Sequence, residues 1–309
     1  MKRLKKIYLV SPRGFCGGVK RAVDIVELVL QKYKPTIYVR HQIVHNRHLI
    51  SDFEKRGVVF VEDINDIPNG SVVVFSAHGS PPSLYEKAKK KQLKVFDATC
   101  PLVNKVHLEA KKFSRLGYFI FYIGHKNHPE TVGVLEEVFP KSIVLIETLE
   151  DIKRITPPQT GKIIVLTQTT LSFDDTKEII NYLKKRFPKL IQPPAFDICY
   201  ATQNRQKAVK ELAKKADLVL IIGSKESSNS NRLRDVAEKE GVVSYLINDV
   251  SEIKKSWLKD VEKLGVTAGA SAPKYLIDEV IKYFSQPKVE IEELVVVKEN
   301  ISFSLPKEI

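Results

Sequence analysis

The stretch Val95-Phe-Asp-Ala-Thr-Cys100-Pro101 runs from a short apolar segment into a cysteine, and an amphipathic, helix-like segment follows it from Leu102 to Leu116. The same order of apolar run, cysteine and amphipathic segment occurs around Cys16 and around Cys199. The pattern predicts a strand, a turn that contains a cysteine, and a helix, three times over. Because the cysteines lie a domain's length apart, the repeat indicates large units rather than the short units of a solenoid.

Polar loops repeat in the same register beyond each cysteine. Each follows an apolar run, and together they contain His45, His78, His128, Glu130, Thr169, Ser227, Ser228, Asn229 and Ser271. Strands that alternate with helices predict mostly parallel sheets, whose ligand sites lie beyond the carboxyl ends of the strands. We therefore expect an α/β fold of three similar α/β units, packed around a pseudo-threefold axis that brings the three cysteines together.

The repeat also predicts where the units begin and end. The first α/β unit is expected at residues 1–98, the second at 99–194 and the third at 195–286, so that each contains one cysteine. Residues 287–309 are expected to form a C-terminal tail that packs back onto a domain. Apolar runs in that tail predict strands at 294–297 and 301–305.

The composition is that of a globular protein with an excess of basic residues. The chain has 309 residues, of which 43% are hydrophobic and 28% charged, and its formal net charge is +13. These fractions exclude an intrinsically disordered chain. No run of 18 apolar residues is present and the first apolar run ends before Ser11, so we expect neither a membrane span nor a signal peptide. The sequence therefore predicts a cytoplasmic protein without a membrane partner.

Three cysteines without a CxxC pair favour a metal centre over disulfides. Three thiolates with no fourth protein ligand nearby leave one coordination position open for a substrate. Two centres fit that description: a zinc ion with three protein ligands and a water, or an iron–sulfur cubane whose fourth iron has no cysteine. The residues alone leave both possibilities open.

The polar loops are suited to a phosphorylated ligand. Their imidazoles, hydroxyls and amide, with backbone N–H groups at the starts of helices, are donors for phosphate oxygens. Glu130 follows His128 in the same loop, and such a carboxyl group can act as a general acid if its surroundings raise its pKa. The alternative for Glu130 is that it only stabilises the start of a helix.

Nine motifs are spread along the chain: Pro12 to Val19, Tyr38 to Asn46, Ser76 to Gly79, Asp97 to Pro101, Gly124 to Glu130, Thr167 to Ser172, Asp197 to Thr202, Ser227 to Arg232 and Val266 to Pro273. In these motifs the sequence resembles the LytB-type family, the 4-hydroxy-3-methylbut-2-enyl diphosphate reductases of the methylerythritol phosphate route to isoprenoids. The resemblance covers nearly the whole chain. One departure is Glu226, where the family pattern has Asn, and we expect its charge to point away from the ligand.

The resemblance implies an oxidoreductase with one 4Fe–4S cluster, held by Cys16, Cys100 and Cys199 with the fourth iron open, at the centre of a three-domain trefoil. It implies that the hydroxyl group of (E)-4-hydroxy-3-methylbut-2-enyl diphosphate leaves as water in a two-electron reductive dehydroxylation, giving isopentenyl and dimethylallyl diphosphate as the last step of the pathway. An external donor such as ferredoxin or flavodoxin would supply the electrons.

The resemblance also implies roles for the loop residues. The substrate-binding residues would be His45, His78, His128, Thr169, Ser227, Ser228, Asn229 and Ser271. The catalytic residues would be Glu130, which delivers protons, together with His128 and Thr169, which relay or position them.

Two other functions compete with this interpretation. A redox-neutral 4Fe–4S dehydratase would use the same three cysteines, and it would differ in consuming no electrons. A basic nucleic-acid-binding protein is the more remote alternative, suggested by the net charge and by the lysines between Lys87 and Lys94. That run is better explained as a solvated helix face, because no nucleic-acid-binding module accompanies it, so we expect no nucleic-acid partner.

Overall fold

The structure is a computed structural model, and it describes residues 4–156, 161–193, 196–285 and 289–307. Its strands are β1 (Lys6–Ser11), β2 (Ile37–Arg40), β3 (Val58–Val61), β4 (Val72–Phe75), β5 (Lys94–Asp97), β6 (Phe119–Ile123), β7 (Ile143–Ile146), β8 (Ile163–Thr167), β9 (Leu190–Ile191), β10 (Leu218–Ile222), β11 (Val243–Ile247), β12 (Lys263–Ala268) and β13 (Glu290–Val295). Its α-helices are α1 (Gly17–Tyr33), α2 (Arg47–Glu54), α3 (Pro82–Lys90), α4 (Pro101–Arg115), α5 (Pro129–Glu136), α6 (Leu149–Arg154), α7 (Phe173–Arg186), α8 (Tyr200–Ala213), α9 (Ser228–Lys239) and α10 (Lys274–Phe284). Strands and helices alternate along most of the chain, as the apolar periodicity predicts.

Five strands form one parallel sheet in the order β11-β10-β12-β1-β13. The first strand of the chain lies inside this sheet, between β12 and β13. Alternate residues of β1 belong to different cores, since Ile7 and Leu9 lie in one and Tyr8 and Val10 in the other. Both faces of the strand are therefore covered, which explains why its sequence is a continuous apolar run.

The remaining strands form two four-stranded sheets, in the orders β3-β2-β4-β5 and β7-β6-β8-β9. All their strand pairs are parallel. Both faces are again buried: in β6, Phe121 lies in one core and Tyr122 in another. The predicted α/β class is confirmed, with three parallel sheets of similar size.

The described residues divide into two compact units. The unit with the five-stranded sheet, here the five-stranded unit, comprises residues 4–20, 45–52, 200–285 and 289–302. The unit with both four-stranded sheets, here the two-sheet unit, comprises residues 21–44, 53–156, 161–193, 196–199 and 303–307. The predicted boundaries at 194/195 and 286/287 lie outside the described residues, and the division into three repeat units stays a prediction.

The C-terminal tail contributes one strand. β13 pairs with β1 along its whole length, from Lys6 opposite Glu290 to Ser11 opposite Val295. The expected strand at 301–305 is wrong: these residues have no regular structure, and Ile301 and Leu305 are exposed. Among the described strands none pairs with them, and the carbonyl of Ser304 instead accepts a hydrogen bond from Arg21 Nε at 2.9 Å. No helix in the described part of the chain is both long and apolar enough to cross a membrane.

Candidate functional site

Each cysteine lies at the start of a helix. Cys16 and Cys199 directly precede α1 and α8, and Cys100 is the N-terminal cap residue of α4. All three are within the described residues, are half-buried and form no disulfide. The backbone N–H of Val19 lies 3.5 Å from Cys16 Sγ, in hydrogen-bonding position. Cysteines in this position, outside any disulfide, can act as metal ligands.

In the five-stranded unit, the loop after β12 connects several predicted site residues. The carbonyl of Ala270 accepts a hydrogen bond from Cys16 N at 3.3 Å, and Ala270 N donates to Asn229 Oδ1 at 2.9 Å. The next residue, Ser271, donates through Oγ to the carbonyl of His45 at 3.1 Å. One short loop therefore holds Cys16, Asn229, Ser271 and His45 together.

The start of α9 presents the remaining polar groups of this unit. Ser227 is the N-terminal cap, and its Oγ accepts from Ser230 N at 3.3 Å. Ser228 is the first helical residue and is half-buried. Asn229 is 5% exposed, and within the described chain its Nδ2 has no hydrogen-bond partner. A buried amide without a partner costs free energy, so this donor is suited to a ligand oxygen.

Glu226, the departure from the family pattern, is engaged within its own loop. Its carboxylate accepts a hydrogen bond from Ser224 Oγ, and this bond is the largest cause that holds the pKa of Glu226 below its usual range. The nearby His45 and Arg47 lower the pKa of Glu226 further. The charge of Glu226 is therefore balanced by neighbours in the five-stranded unit.

In the two-sheet unit, backbone hydrogen bonds fix both cysteines to strand-end loops. Cys100 N donates to the carbonyl of Ala77 at 3.0 Å, next to His78. Cys199 N donates to the carbonyl of Thr169 at 3.1 Å. The loops after β4 and β8 therefore determine where the two cysteines lie.

Glu130 is the most deeply buried acid of the candidate site. It is 1% exposed, and burial raises its pKa to about 8, against the opposing effect of two hydrogen bonds from Thr169. Thr169 N donates to Glu130 Oε1 at 2.7 Å, and Thr169 Oγ1 lies 2.9 Å from Oε2. The nearby carboxyl of Asp197 raises the pKa of Glu130 further. At neutral pH this carboxyl group therefore holds a proton, as a general acid must.

Two imidazoles pack against each other near the start of α5. His128 is the N-terminal cap of α5, and its Nδ1 accepts from Glu130 N at 3.2 Å, which places the ring proton of the neutral form on Nε2. The ring of His78 packs edge-on against it, with the centroids 5.9 Å apart. His78 Nδ1 also lies 3.3 Å from Ser76 Oγ. A donor pair of this kind is suited to anionic oxygens.

Sequence reasoning missed several polar residues that support these side chains. Asp197 is buried, accepts from Thr167 N at 2.9 Å and pairs with Lys105 at 2.8 Å. His41 has a φ of +58° and packs its ring 5.7 Å from that of His78. Arg205, which is 1% exposed, donates to the carbonyl of Gly14 at 2.8 Å in the loop before Cys16. Asp197 and His41 lie within the sequence motifs that carry the family resemblance. That location is the sequence signal from which both residues could have been identified.

The twelve predicted site residues thus lie in two groups. The five-stranded unit brings together Cys16, His45, Ser227, Ser228, Asn229 and Ser271, whereas the two-sheet unit brings together His78, Cys100, His128, Glu130, Thr169 and Cys199. Within each unit the residues follow strand ends or begin helices, as the repeat predicts.

Comparisons with known proteins agree on one family. A family model described as LytB protein matches residues 7–285. The chain is 48% identical to the 4-hydroxy-3-methylbut-2-enyl diphosphate reductase of Psychrobacter sp. (strain PRwf-1), over 98% of this chain and 97% of that protein. It is 49% identical to the reductase of the same name from Hamiltonella defensa, with the same coverage. The solved structure of the E-1-hydroxy-2-methyl-but-2-enyl-4-diphosphate reductase from Plasmodium falciparum superposes with a TM-score of 0.96 at 39% identity, over 99% of this chain and 97% of that one.

Proposed function

Because the chain belongs to the LytB protein family, we propose that it is a 4-hydroxy-3-methylbut-2-enyl diphosphate reductase, the terminal enzyme of the non-mevalonate pathway. The reaction replaces the hydroxyl group of the substrate by hydrogen: two electrons and two protons enter, and water and isopentenyl or dimethylallyl diphosphate leave. The observation that carries the proposal is Glu130, a carboxyl group that is 1% exposed and is fixed by Thr169, and whose pKa is raised by this burial.

We propose that Cys16, Cys100 and Cys199 ligate one 4Fe–4S cluster. Three cysteines at helix starts that form no disulfide fit such a group, because cysteine sulfur is the ligand that iron–sulfur clusters take from proteins. When bound, the cluster supplies the electrons and an open iron that acts as a Lewis acid on the substrate. The protein backbone fixes all three ligands through their own N–H groups or the first helical turn.

The diphosphate is assigned to the neutral and imidazole donors of the strand-end loops. They are His45, His78, His128, Thr169, Ser227, Ser228, Asn229 and Ser271. The unsatisfied Nδ2 of Asn229 and the N–H groups at the start of α9 support this assignment, since both are donors for phosphate oxygens. Each directed hydrogen bond to a charged oxygen adds roughly 1.5–3 kcal/mol to binding.

Glu130 is assigned the role of proton donor. Thr169 N donates to Oε1 and Thr169 Oγ1 donates to Oε2 of the carboxylate; when Glu130 is protonated on Oε2, the same hydroxyl can accept from it. A hydroxyl both accepts and donates, so Thr169 can stabilise the acid before transfer and the carboxylate after it. His128 accepts from the backbone of Glu130 and thereby fixes the start of the helix that carries the acid.

The proposed function also implies an external electron donor and a cellular location. An external one-electron donor such as ferredoxin or flavodoxin is required, because none of the proposed protein groups supplies electrons. The cytoplasm is the expected location, and no nucleic acid is expected as a partner.

Anaerobic turnover separates this function from its alternatives. Protein purified without oxygen and supplied with a chemical reductant should convert the hydroxybutenyl diphosphate into the two products and consume two electrons per product. Turnover without electron consumption would instead identify a redox-neutral dehydratase. Equimolar zinc in place of iron and sulfide would contradict the cluster assignment.

A further inference from the structure

The side chain of His107 is a buried polar group that the proposed mechanism does not use. It lies on α4, the helix that begins after Cys100, and it is 6% exposed. Its Nδ1 lies 3.1 Å from Glu137 Oε1, and Lys111 Nζ lies 3.0 Å from the other oxygen of Glu137. Glu137 is the C-terminal cap residue of α5. The imidazole therefore joins α4 to the helix whose first turn carries Glu130.

Two glycines leave room for this ring. A Cβ built on Gly79 would lie 2.6 Å from His107 Nε2, and a Cβ built on Gly133 would lie 2.8 Å from His107 Cε1. Gly79 follows His78 and has a φ of +82°, whereas Gly133 stands inside α5. A glycine inside a helix costs about 1 kcal/mol relative to alanine, and the close approach of the ring explains why one is present here.

The ring therefore lies between two backbone segments that carry proposed site residues. One segment is the loop with His78, and the other is α5, with His128 as its cap and Glu130 in its first turn. The edge-on contact of the His78 and His128 rings joins the same two segments. Because both backbones are in direct contact with the imidazole, its size sets how close they approach.

A cavity of about 270 Å³ lies beside the ring, with Ser80, His107 and Glu137 in its wall. In the described part of the chain, neither Nε2 of His107 nor Oγ of Ser80 has a hydrogen-bond partner. Nδ1 of the imidazole is thus held by its hydrogen bond with Glu137, whereas the opposite side of the ring packs against Gly79 and Gly133. The cavity also gives a small molecule such as imidazole a place beside this position.

We propose that His107 is a positioning residue: held by Glu137, its ring sets the spacing between the loop of His78 and the helix of His128 and Glu130. The inference rests on the function proposed above, in which those residues bind the diphosphate and deliver the proton. His107 itself touches no substrate in this proposal.

The test compares His107→Ala with Val106→Ala, the neighbouring buried residue on α4, which lies in the core with Val134. Both variants lose packing, so both should lower the melting temperature. Only His107→Ala should lower kcat, by roughly 10- to 100-fold, because small displacements of catalytic groups have effects of that size. Iron content should equal that of the wild type in both variants, and added imidazole should restore part of the activity of His107→Ala alone.

A second variant decides the matter if His107→Ala does not fold. Gly133→Ala favours the helix but places a methyl group against the ring, so it should lower kcat at least fivefold while the protein stays folded. The proposal would be overturned if His107→Ala and Gly133→Ala fold and have the same activity as Val106→Ala.

A failure of the proposed function can be recognised separately. If the wild type does not reduce the hydroxybutenyl diphosphate, the proposed function is wrong, and the affinity for inorganic diphosphate then tests the positioning role. Calorimetry should show weaker binding of inorganic diphosphate by Gly133→Ala than by Val106→Ala. Equal affinities would overturn the positioning role as well.

Discussion

Replacing Glu130 by Gln removes one acidic proton and changes little else in the structure. Gln has the same length, its carbonyl can accept from Thr169 N across the present 2.7 Å, and its amide can donate to Thr169 Oγ1 across 2.9 Å. Because burial raises the pKa of Glu130 to about 8, the protonated form of the wild-type carboxyl group prevails at pH 7. We therefore expect kcat to fall by a factor on the order of 10²–10⁴, while KM stays within about threefold.

The pH dependence of turnover in the wild type and in Glu130→Gln is a second, independent test of the role of Glu130. The wild type loses its acid as the pH rises through about 8, so its turnover should decline above that pH, whereas the residual rate of Glu130→Gln should stay level. The stability of the folded protein should also decline as the pH rises. Because the folded pKa lies above the ordinary value of 4.5, the folded protein binds this proton more tightly than the unfolded chain, and stability falls as the pH rises from about 4.5 to about 8. The Gln variant should lack the part of that decline that Glu130 causes, whereas Asp197, whose pKa burial raises to about 7, should still contribute its own part.

Single-turnover reduction under anaerobic conditions, with a chemical electron donor, is the suitable assay because it bypasses the protein that supplies electrons. Glu136→Gln makes the same substitution on the exposed side of α5, where Glu136 accepts from Ser83 Oγ, and it should leave the rate unchanged. A wild-type rate for Glu130→Gln, with substrate bound and iron content unaltered, would refute the role of Glu130 as the acid.

Three further predictions concern the cluster, the diphosphate and the loop before Cys16. Replacing any one cysteine by Ser should abolish stable binding of iron while the protein stays folded, and full iron content with full turnover in all three variants would contradict the ligand assignment. Ser227→Ala and Asn229→Ala should each weaken substrate binding about tenfold to a hundredfold and leave the cluster spectrum unchanged, and unaltered affinity in both would place the diphosphate elsewhere. Glu299→Gln, which leaves the buried Arg205 without its 3.1 Å ion pair, should lower the free energy of unfolding by about 3 kcal/mol in denaturant titrations. As the matched control, Lys214→Gln breaks an exposed pair and should change it by less than about 1 kcal/mol.

The local order of strand, loop and helix could be predicted from the sequence because it depends on neighbouring residues. Thr169 follows β8 and His128 precedes α5, so both were placed at strand ends by the apolar runs before them. Parallel strands put their carboxyl ends at one edge, and residues such as Glu130 and Thr169 meet there. The depth at which Glu130 is buried, which raises its pKa, depends on packing from other segments and could not be read from its loop.

The sequence pattern could not predict features that depend on contacts between residues far apart in the chain. The repeat groups β1 with residues 1–98, but β1 lies between β12 and β13, because parallel strands choose partners through space rather than along the chain. In the sequence nothing distinguishes His107 from the other polar residues of its amphipathic segment, whereas in the structure the approach of Gly79 and Gly133 does. The apolar alternation at 301–305 predicted a strand that has no neighbour to pair with among the described strands.

The place of β1 in its sheet has a consequence for how the protein is made. A ribosome releases β1 first, but its two neighbours, β12 and β13, emerge only when nearly the whole chain has been synthesised. Until then the edges of β1 have no partners, and the Cys16 loop lacks its hydrogen bond to Ala270. Nascent chains arrested before β12 should therefore be cleaved by protease near Cys16 while full-length chains resist. If Cys16 ligates iron as proposed, its loading has to wait until translation is nearly complete, and the thiol would need protection from oxidants throughout that interval.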